Sequence, residues 1–125
     1  MTRPRVLLVE DDFDTRHMYA SWLGHEGFDV SEARDGAEGV RCARAVHPDV
    51  VLMDVAMPRM DGLEATRRLK QDPTTAGVPV VIISALTTPH DRQRAFEAGA
   101  VDFLGKPCDP DVVAARVRRY SGSRP

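Results

Sequence analysis

Several things are scarce in these 125 residues. There are only two cysteines, Cys42 and Cys108, far apart and in no metal-ligand spacing. A disulfide scaffold and a thiolate zinc site are therefore excluded, and reduced thiols in a cytoplasmic chain are expected. No apolar run approaches the roughly 20 residues that a membrane span needs. Only Val6-Leu7-Leu8-Val9 separates the first five residues from Glu10, too little for the core of a secretory signal. Neither sign of charge dominates: 17 Lys+Arg stand against 19 Asp+Glu, a net charge of −2. No strong field draws the protein to nucleic acid or to a lipid surface. Internal repeats, low-complexity tracts and interdomain linkers are missing too.

What remains is ordinary soluble-domain composition, 42% hydrophobic and 29% charged. The length fits one domain on the rough prior of 100–200 residues each. Such a chain buries about two-thirds of its unfolded surface and needs no staple. The expected organisation is a single domain over 1–125, with a core over 4–120, a tail over 121–125 and no effector domain.

Three short runs are almost wholly apolar and β-branched: Val6-Leu7-Leu8-Val9, Val50-Val51-Leu52-Met53 and Val80-Val81-Ile82-Ile83. They are too short for helices and read as strands covered on both faces, the habit of parallel sheets. Phe28 to Glu32 and Asp102-Phe103-Leu104 fit edge strands. Between them lie helix-length segments. Residues 14–26 place Met18, Trp22 and Leu23 at helical spacing, with Asp14 as cap and Trp22 facing the core. Residues 36–46 turn Ala37, Val40 and Ala43 or Ala45 to one side and stop at His47-Pro48. Residues 62–71 carry Leu63, Thr66 and Leu69, and 90–98 stop at Gly99. Asp109-Pro110 opens a last helix with Val112, Val113, Val117 and Tyr120. Five β-α repeats of this kind predict a doubly wound parallel α/β sheet.

In such sheets ligands gather beyond the carboxyl ends of the strands. There the sequence sets Glu10-Asp11-Asp12, Asp54, Ser84 and Lys106, the last one of only two lysines. Crowded carboxylates repel one another unless a cation sits among them. Few carboxylates plus waters suit Mg²⁺, with Mn²⁺ as the alternative ion. Asp54 leaves a rigid strand end, a good place for a carboxylate nucleophile, and the metal, Lys106 and Ser84 could neutralise a phosphoryl group on it. Taken singly, these are a helix N-terminus, a turn residue, a cap and a surface charge; together at four strand ends they describe a site. An EF-hand loop counted from Asp12 fails, because Arg16 and His17 fall where an oxygen ligand and a glycine belong.

The chain resembles a response-regulator receiver (CheY-like) domain of two-component signalling over residues 4–120. The resemblance is carried by Val6 to Asp12, by Asp54-Val55-Ala56-Met57-Pro58-Arg59-Met60-Asp61-Gly62, by Ile83-Ser84-Ala85 and by Gly99 to Pro107. It implies a five-stranded sheet of order 2-1-3-4-5 flanked by five helices. It implies that Asp54 accepts a phosphoryl group, that Glu10, Asp11, Asp54 and the Ala56 carbonyl hold Mg²⁺, and that Ser84 and Lys106 contact the phosphoryl oxygens. Asp12 matches a third acidic position that does not bind metal directly. Pro107 matches a proline that is commonly cis, and Phe103 the aromatic whose turning, coupled to Ser84, shifts the face of helix 4, strand 5 and helix 5. The other reading of Phe103 is a half-buried edge-strand ring. Implied partners are a sensor histidine kinase or phosphotransfer protein and an unidentified downstream effector, without nucleic acid or membrane. The chain is expected to be a monomer or a phosphorylation-dependent homodimer.

The sequence departs mildly from the family pattern. Glu10 replaces an aspartate, Phe103 lacks a tyrosine hydroxyl, and Cys108 stands where an aromatic is common, with an inert thiol expected. Ala56 and Leu86 flank the site with apolar side chains. Arg16 and the Met57–Arg59 loop are expected to face a kinase. Arg116, Arg118, Arg119 and Arg124 read as a solvated helix end, and His17, His25, His47 and His90 as surface residues. Two rivals remain: a haloacid-dehalogenase-type phosphatase, which expects an aspartate where Ala56 stands, and a receiver-like module that works without phosphotransfer. A flavodoxin-like cofactor site lacks its phosphate-cradling loop after the first strand.

Overall fold

The computed structural model describes residues 3–57 and 59–122. Strands and helices alternate: β1 (Arg5–Val9), α1 (Phe13–His25), β2 (Asp29–Ala33), α2 (Gly36–Val46), β3 (Val50–Asp54), α3 (Gly62–Gln71), β4 (Val80–Ser84), α4 (Pro89–Ala98), β5 (Asp102–Gly105) and α5 (Pro110–Ser121). All four strand pairings are parallel, in the order β2-β1-β3-β4-β5. This is the doubly wound sheet that the β-α alternation predicts.

Alternation of side chains along each central strand feeds two separate cores. Leu7, Val9, Val51, Met53 and Ile82 face α2, α3 and α4 through Val40, Ala43, Leu63, Leu69 and Ala95. Val6, Leu8, Leu52, Val81 and Ile83 face α1 and α5 through Tyr19, Leu23, Val113 and Val117. Both faces of β1, β3 and β4 are thus covered, which is why these strands read as unbroken apolar runs.

Helix starts are fixed by side-chain caps that accept otherwise orphaned backbone N–H groups. Asp12 caps α1, Asp35 caps α2 and Asp61 caps α3. Thr88 and Asp91 form a reciprocal capping box on α4, and Asp109 precedes Pro110 at the start of α5.

Local pattern misplaced a few residues. The cap of α1 is Asp12 rather than Asp14, because the Asp12 carboxylate accepts from the Thr15 N–H at 2.9 Å. Met18 is 46% exposed, and the buried stripe of α1 runs through Arg16, Tyr19 and Leu23. Two of these three, Arg16 and Tyr19, bury their stems while carrying polar heads. Of the alternatives on α2, Ala43 is buried and Ala45 is not; on α5, Val113 is buried and Val112 exposed. The expected tail begins too early: Ser121 closes α5 and is buried, while residues 123–125 lie outside the described residues. Among the described residues, no helix is long and apolar enough to cross a membrane.

Candidate functional site

Register brings the ends of β1, β3, β4 and β5 to one rim of the sheet, with Val9 beside Met53, Asp54 beside Ile83 and Ser84 beside Gly105. Glu10, the residue after β1, is only 2% exposed, and every polar atom it carries is engaged. Its N–H donates to the Ala33 carbonyl at 3.0 Å, and its own carbonyl accepts from Arg16 Nη1 at 2.9 Å. Glu10 Oε2 accepts from the Asp12 N–H at 3.1 Å, and Oε1 from Lys106 Nζ at 2.7 Å. Asp54 closes β3 at 4% exposure, its Oδ1 lying 3.2 Å from the same ammonium. Asp11 projects into solvent beside them, and ligand oxygens of Glu10, Asp11 and Asp54 all lie within 4.8 Å of one another.

Three carboxylates face one ammonium, so the cluster holds a surplus of negative charge. Asp11 shows the strain of this: partial burial first, then the neighbouring Glu10 carboxylate, push its pKa up. Burial alone would lower the pKa of Lys106, but Glu10 and Asp54 outweigh it and the net displacement is upward. Lys106 is held from behind by its own N–H, which donates to the Ser84 carbonyl at 2.8 Å, and the Lys106–Pro107 peptide is cis. Ser84 is buried, its Oγ accepting from the Leu86 N–H at 3.0 Å. Hard oxygen donors carrying a surplus of negative charge are the donor set of a small divalent cation.

Sequence comparison decides which family builds this rim. Residues 6–118 match the profile of the response regulator receiver domain. The chain belongs to that family. Response regulator PleD of Caulobacter vibrioides is 44% identical over 114 residues, 91% of this chain but 25% of that protein. The DNA-binding dual master transcriptional regulator RpaA of Synechocystis is 36% identical over 92% of this chain and 48% of its own length. The receiver domain thus spans a quarter to about half the length of these curated relatives. Among solved structures, the receiver domain of sensor histidine kinase PA1611 from Pseudomonas aeruginosa, crystallised with a magnesium ion in its active site cleft, superposes with a TM-score of 0.90 at 30% identity, covering 98% of this chain and all of that one. Chemotaxis protein CheY4 of Vibrio cholerae gives 0.90 at 28% identity, over 95% and 99% of the two chains.

The remaining residues of the receiver domain sort themselves around the rim. The loop after β3 is pinned by Val55, whose carbonyl accepts from the N–H groups of Met57 and Gly62. A Cβ at Gly62 would lie 1.9 Å from the Asp54 carbonyl oxygen, so the Asp-Gly pair allows α3 to start directly against the strand end. Ala56 is exposed, Arg59 adopts a left-handed φ of 67°, and Pro58 lies outside the described residues. Phe103 is 5% exposed, with the Arg92 guanidinium 4.9 Å from its ring centroid, so it is no half-buried edge ring. It lines a small pocket with Val55, Leu63, Ser84, Leu86, Asp91 and Arg94. All four histidines, His17, His25, His47 and His90, are exposed as expected, and the His25 ring centroid lies 5.9 Å from that of Trp22. Burial pushes the thiols of Cys42 and Cys108 up in pKa, away from the thiolate form that reacts.

One expectation about arginines needs correction. Arg16 is not a surface residue awaiting a partner: it is 9% exposed and bonded inward. The basic end of α5 is solvated as expected, with Arg118 and Arg119 exposed; Arg116 also pairs with Asp102 at 2.8 Å and Arg118 with Glu26 at 3.5 Å, and Arg124 lies outside the described residues. Sequence reasoning missed the roles of Arg16 and Arg92 because the partner of each is remote or apolar. For Arg16 the usable signal was its place three residues before Tyr19 and seven before Leu23, on the buried stripe of α1.

Proposed function

We propose that this receiver domain is a phosphoacceptor switch. Mg²⁺ would be held by Glu10, Asp11, Asp54 and the Ala56 carbonyl, with Mn²⁺ a workable substitute, and when bound it would offset charge on the phosphoryl oxygens. Asp54 Oδ attacks the phosphorus of a phosphohistidine on a sensor kinase or phosphotransfer protein. The P–N bond breaks, its electron pair leaves with the imidazole, and an acyl phosphate forms on Asp54. Lys106, already held between Glu10 and Asp54, pairs with a phosphoryl oxygen. Ser84 exchanges its bond from the Leu86 N–H for a bond that its hydroxyl donates to the phosphoryl group. Movement of that loop against Phe103 changes the surface of α4, β5 and α5, and with it the affinity for a downstream protein. The domain works as a cytoplasmic switch that catalyses only its own phosphorylation and hydrolysis, as a monomer or a phosphorylation-dependent homodimer, without touching nucleic acid itself. The observation that carries this reading is the buried Asp54 facing two further carboxylates and one lysine across the strand ends.

The test is intact mass after incubation with Mg²⁺ and a small phosphodonor. Wild type should gain one phosphoryl group, and Asp54→Asn none. Equal labelling of the two proteins, or none in wild type, sinks the assignment. A beryllium fluoride complex should perturb the Phe103 signals; their silence would leave phosphorylation standing but remove the switch.

A further inference from the structure

We infer that Arg16 is a positioning residue of the acidic site: from the buried face of α1 it sets the peptide of Glu10, and so fixes where the cation-binding carboxylates stand. The inference rests on the Mg²⁺ reading of the preceding subsection.

Arg16 lies in the first turns of α1, under the site rather than in it. Its Nη1 donates to the Glu10 carbonyl at 2.9 Å and its Nε to Glu32 Oε1 at 3.2 Å. Its guanidinium carbon sits 5.5 Å from the Phe13 ring centroid. One rigid fork therefore ties the residues just beyond β1 to the end of β2 and to the first residue of α1. The Glu10 peptide is the hinge of the turn from which both the Glu10 and Asp11 carboxylates project. The Glu10 N–H, on the peptide unit before its Cα, is already fixed by the Ala33 carbonyl on β2, so the Arg16 bond to the carbonyl after that Cα supplies the second anchor. With both in place the backbone around Glu10 cannot rotate without breaking a buried hydrogen bond. Glu10 has one more methylene than an aspartate in this place, so its backbone anchor matters more for where the carboxylate ends up.

Charge alone predicts the opposite effect, which makes the two roles separable. Arg16 is a cation beside an acidic cluster, so by Coulomb repulsion its removal would tighten Mg²⁺ binding. As an anchor, its removal would loosen binding. Lysine separates them further: Arg16→Lys keeps the charge but, as a point donor, cannot hold two acceptors in a fixed fork.

The experiment is calorimetric Mg²⁺ titration of wild type, Arg16→Met, Arg16→Lys and the surface control Arg68→Met, each shown by circular dichroism to be folded at the titration temperature. Arg68 is exposed and pairs with Glu64 within its own helix. Loss of a hydrogen bond that orients a metal ligand typically weakens affinity by about 10–100-fold. Arg16→Met should fall within that range, Arg16→Lys should weaken by several-fold, and Arg68→Met should match wild type. Unchanged or tighter binding by Arg16→Met overturns the inference, even if its melting temperature drops. So does an equal loss in Arg68→Met. Should Arg16→Met fail to fold, Arg16→Lys decides alone: weaker binding supports the anchor, and wild-type binding overturns it. If wild type itself binds no Mg²⁺, the metal reading falls and takes this inference with it, a result distinct from a failure confined to the variants.

Discussion

Asp102, at the start of β5, shows how a single acid is used away from the site. Its Oδ1 accepts from the Phe103 N–H at 2.8 Å, and its Oδ2 from Arg116 at 2.8 Å and Tyr120 at 3.1 Å. Burial opposes its ionisation, but these donors outweigh burial and hold its pKa below the ordinary 3.8. Because the folded pKa lies below the unfolded one, the stabilisation is complete above about pH 4 and fades as pH falls through the folded value. Asp102→Asn keeps the shape and removes the charge. It should cost roughly 1.5–3 kcal/mol at neutral pH, the range for hydrogen bonds to a charged group. The gap between the two urea midpoints should narrow at about pH 3; a gap independent of pH would show that the charge is immaterial. None of these partners is legible in sequence, where Asp102 is an acid in an edge strand and Arg116 a basic residue on a helix.

Elements were largely legible, because what starts and stops them is local. Every expected strand and helix is present with ends shifted by a residue or two, and the shifts follow from caps whose acceptor could equally have been a neighbour, as Asp12 is for Asp14. Glycine separates what is local from what is not. Gly24 sits near the end of α1 with nothing within 4 Å of where a Cβ would stand, whereas Gly62 opens α3 with its Cα against the Asp54 carbonyl. Gly24→Ala should therefore stabilise by about 0.5–1 kcal/mol through the usual helix-interior gain. Gly62→Ala should destabilise by at least about 1–3 kcal/mol, since backbone must move to make room, and it should disturb the Asp54 strand end. Thermal unfolding of the two variants checks the pair; a neutral Gly62→Ala would mean that α3 does not abut the strand as described.

For the molecule as a whole, the sheet stacks its charged rim on two apolar cores, and the rim gathers three carboxylates against one lysine. A cation bound by the folded state alone must stabilise it, by about 2.7 kcal/mol at a concentration one hundred times its dissociation constant. Mg²⁺ should raise the melting temperature of wild type, and EDTA should reverse the rise. Asp11→Asn should remove most of the shift while keeping the fold, because Asp11 is exposed and leaves both cores intact. A full shift in that variant would place the ion elsewhere.

By itself the sequence determined the element order, the covered parallel strands and the set of chemical groups at the strand ends, because apolar periodicity, caps and glycine stops act over a few residues. Tertiary structure decided which of those groups touch. Lys106 meets Glu10 across 96 positions of chain only because β1, β3, β4 and β5 lie side by side in one parallel register. The same holds for Arg16: its chain position beside the acidic run suggested a surface residue, and the packing of α1 on β1 and β2 turned it inward to the Glu10 carbonyl. Local forces select conformations, whereas pairings between remote polar atoms are fixed only when the sheet order and the helix faces are.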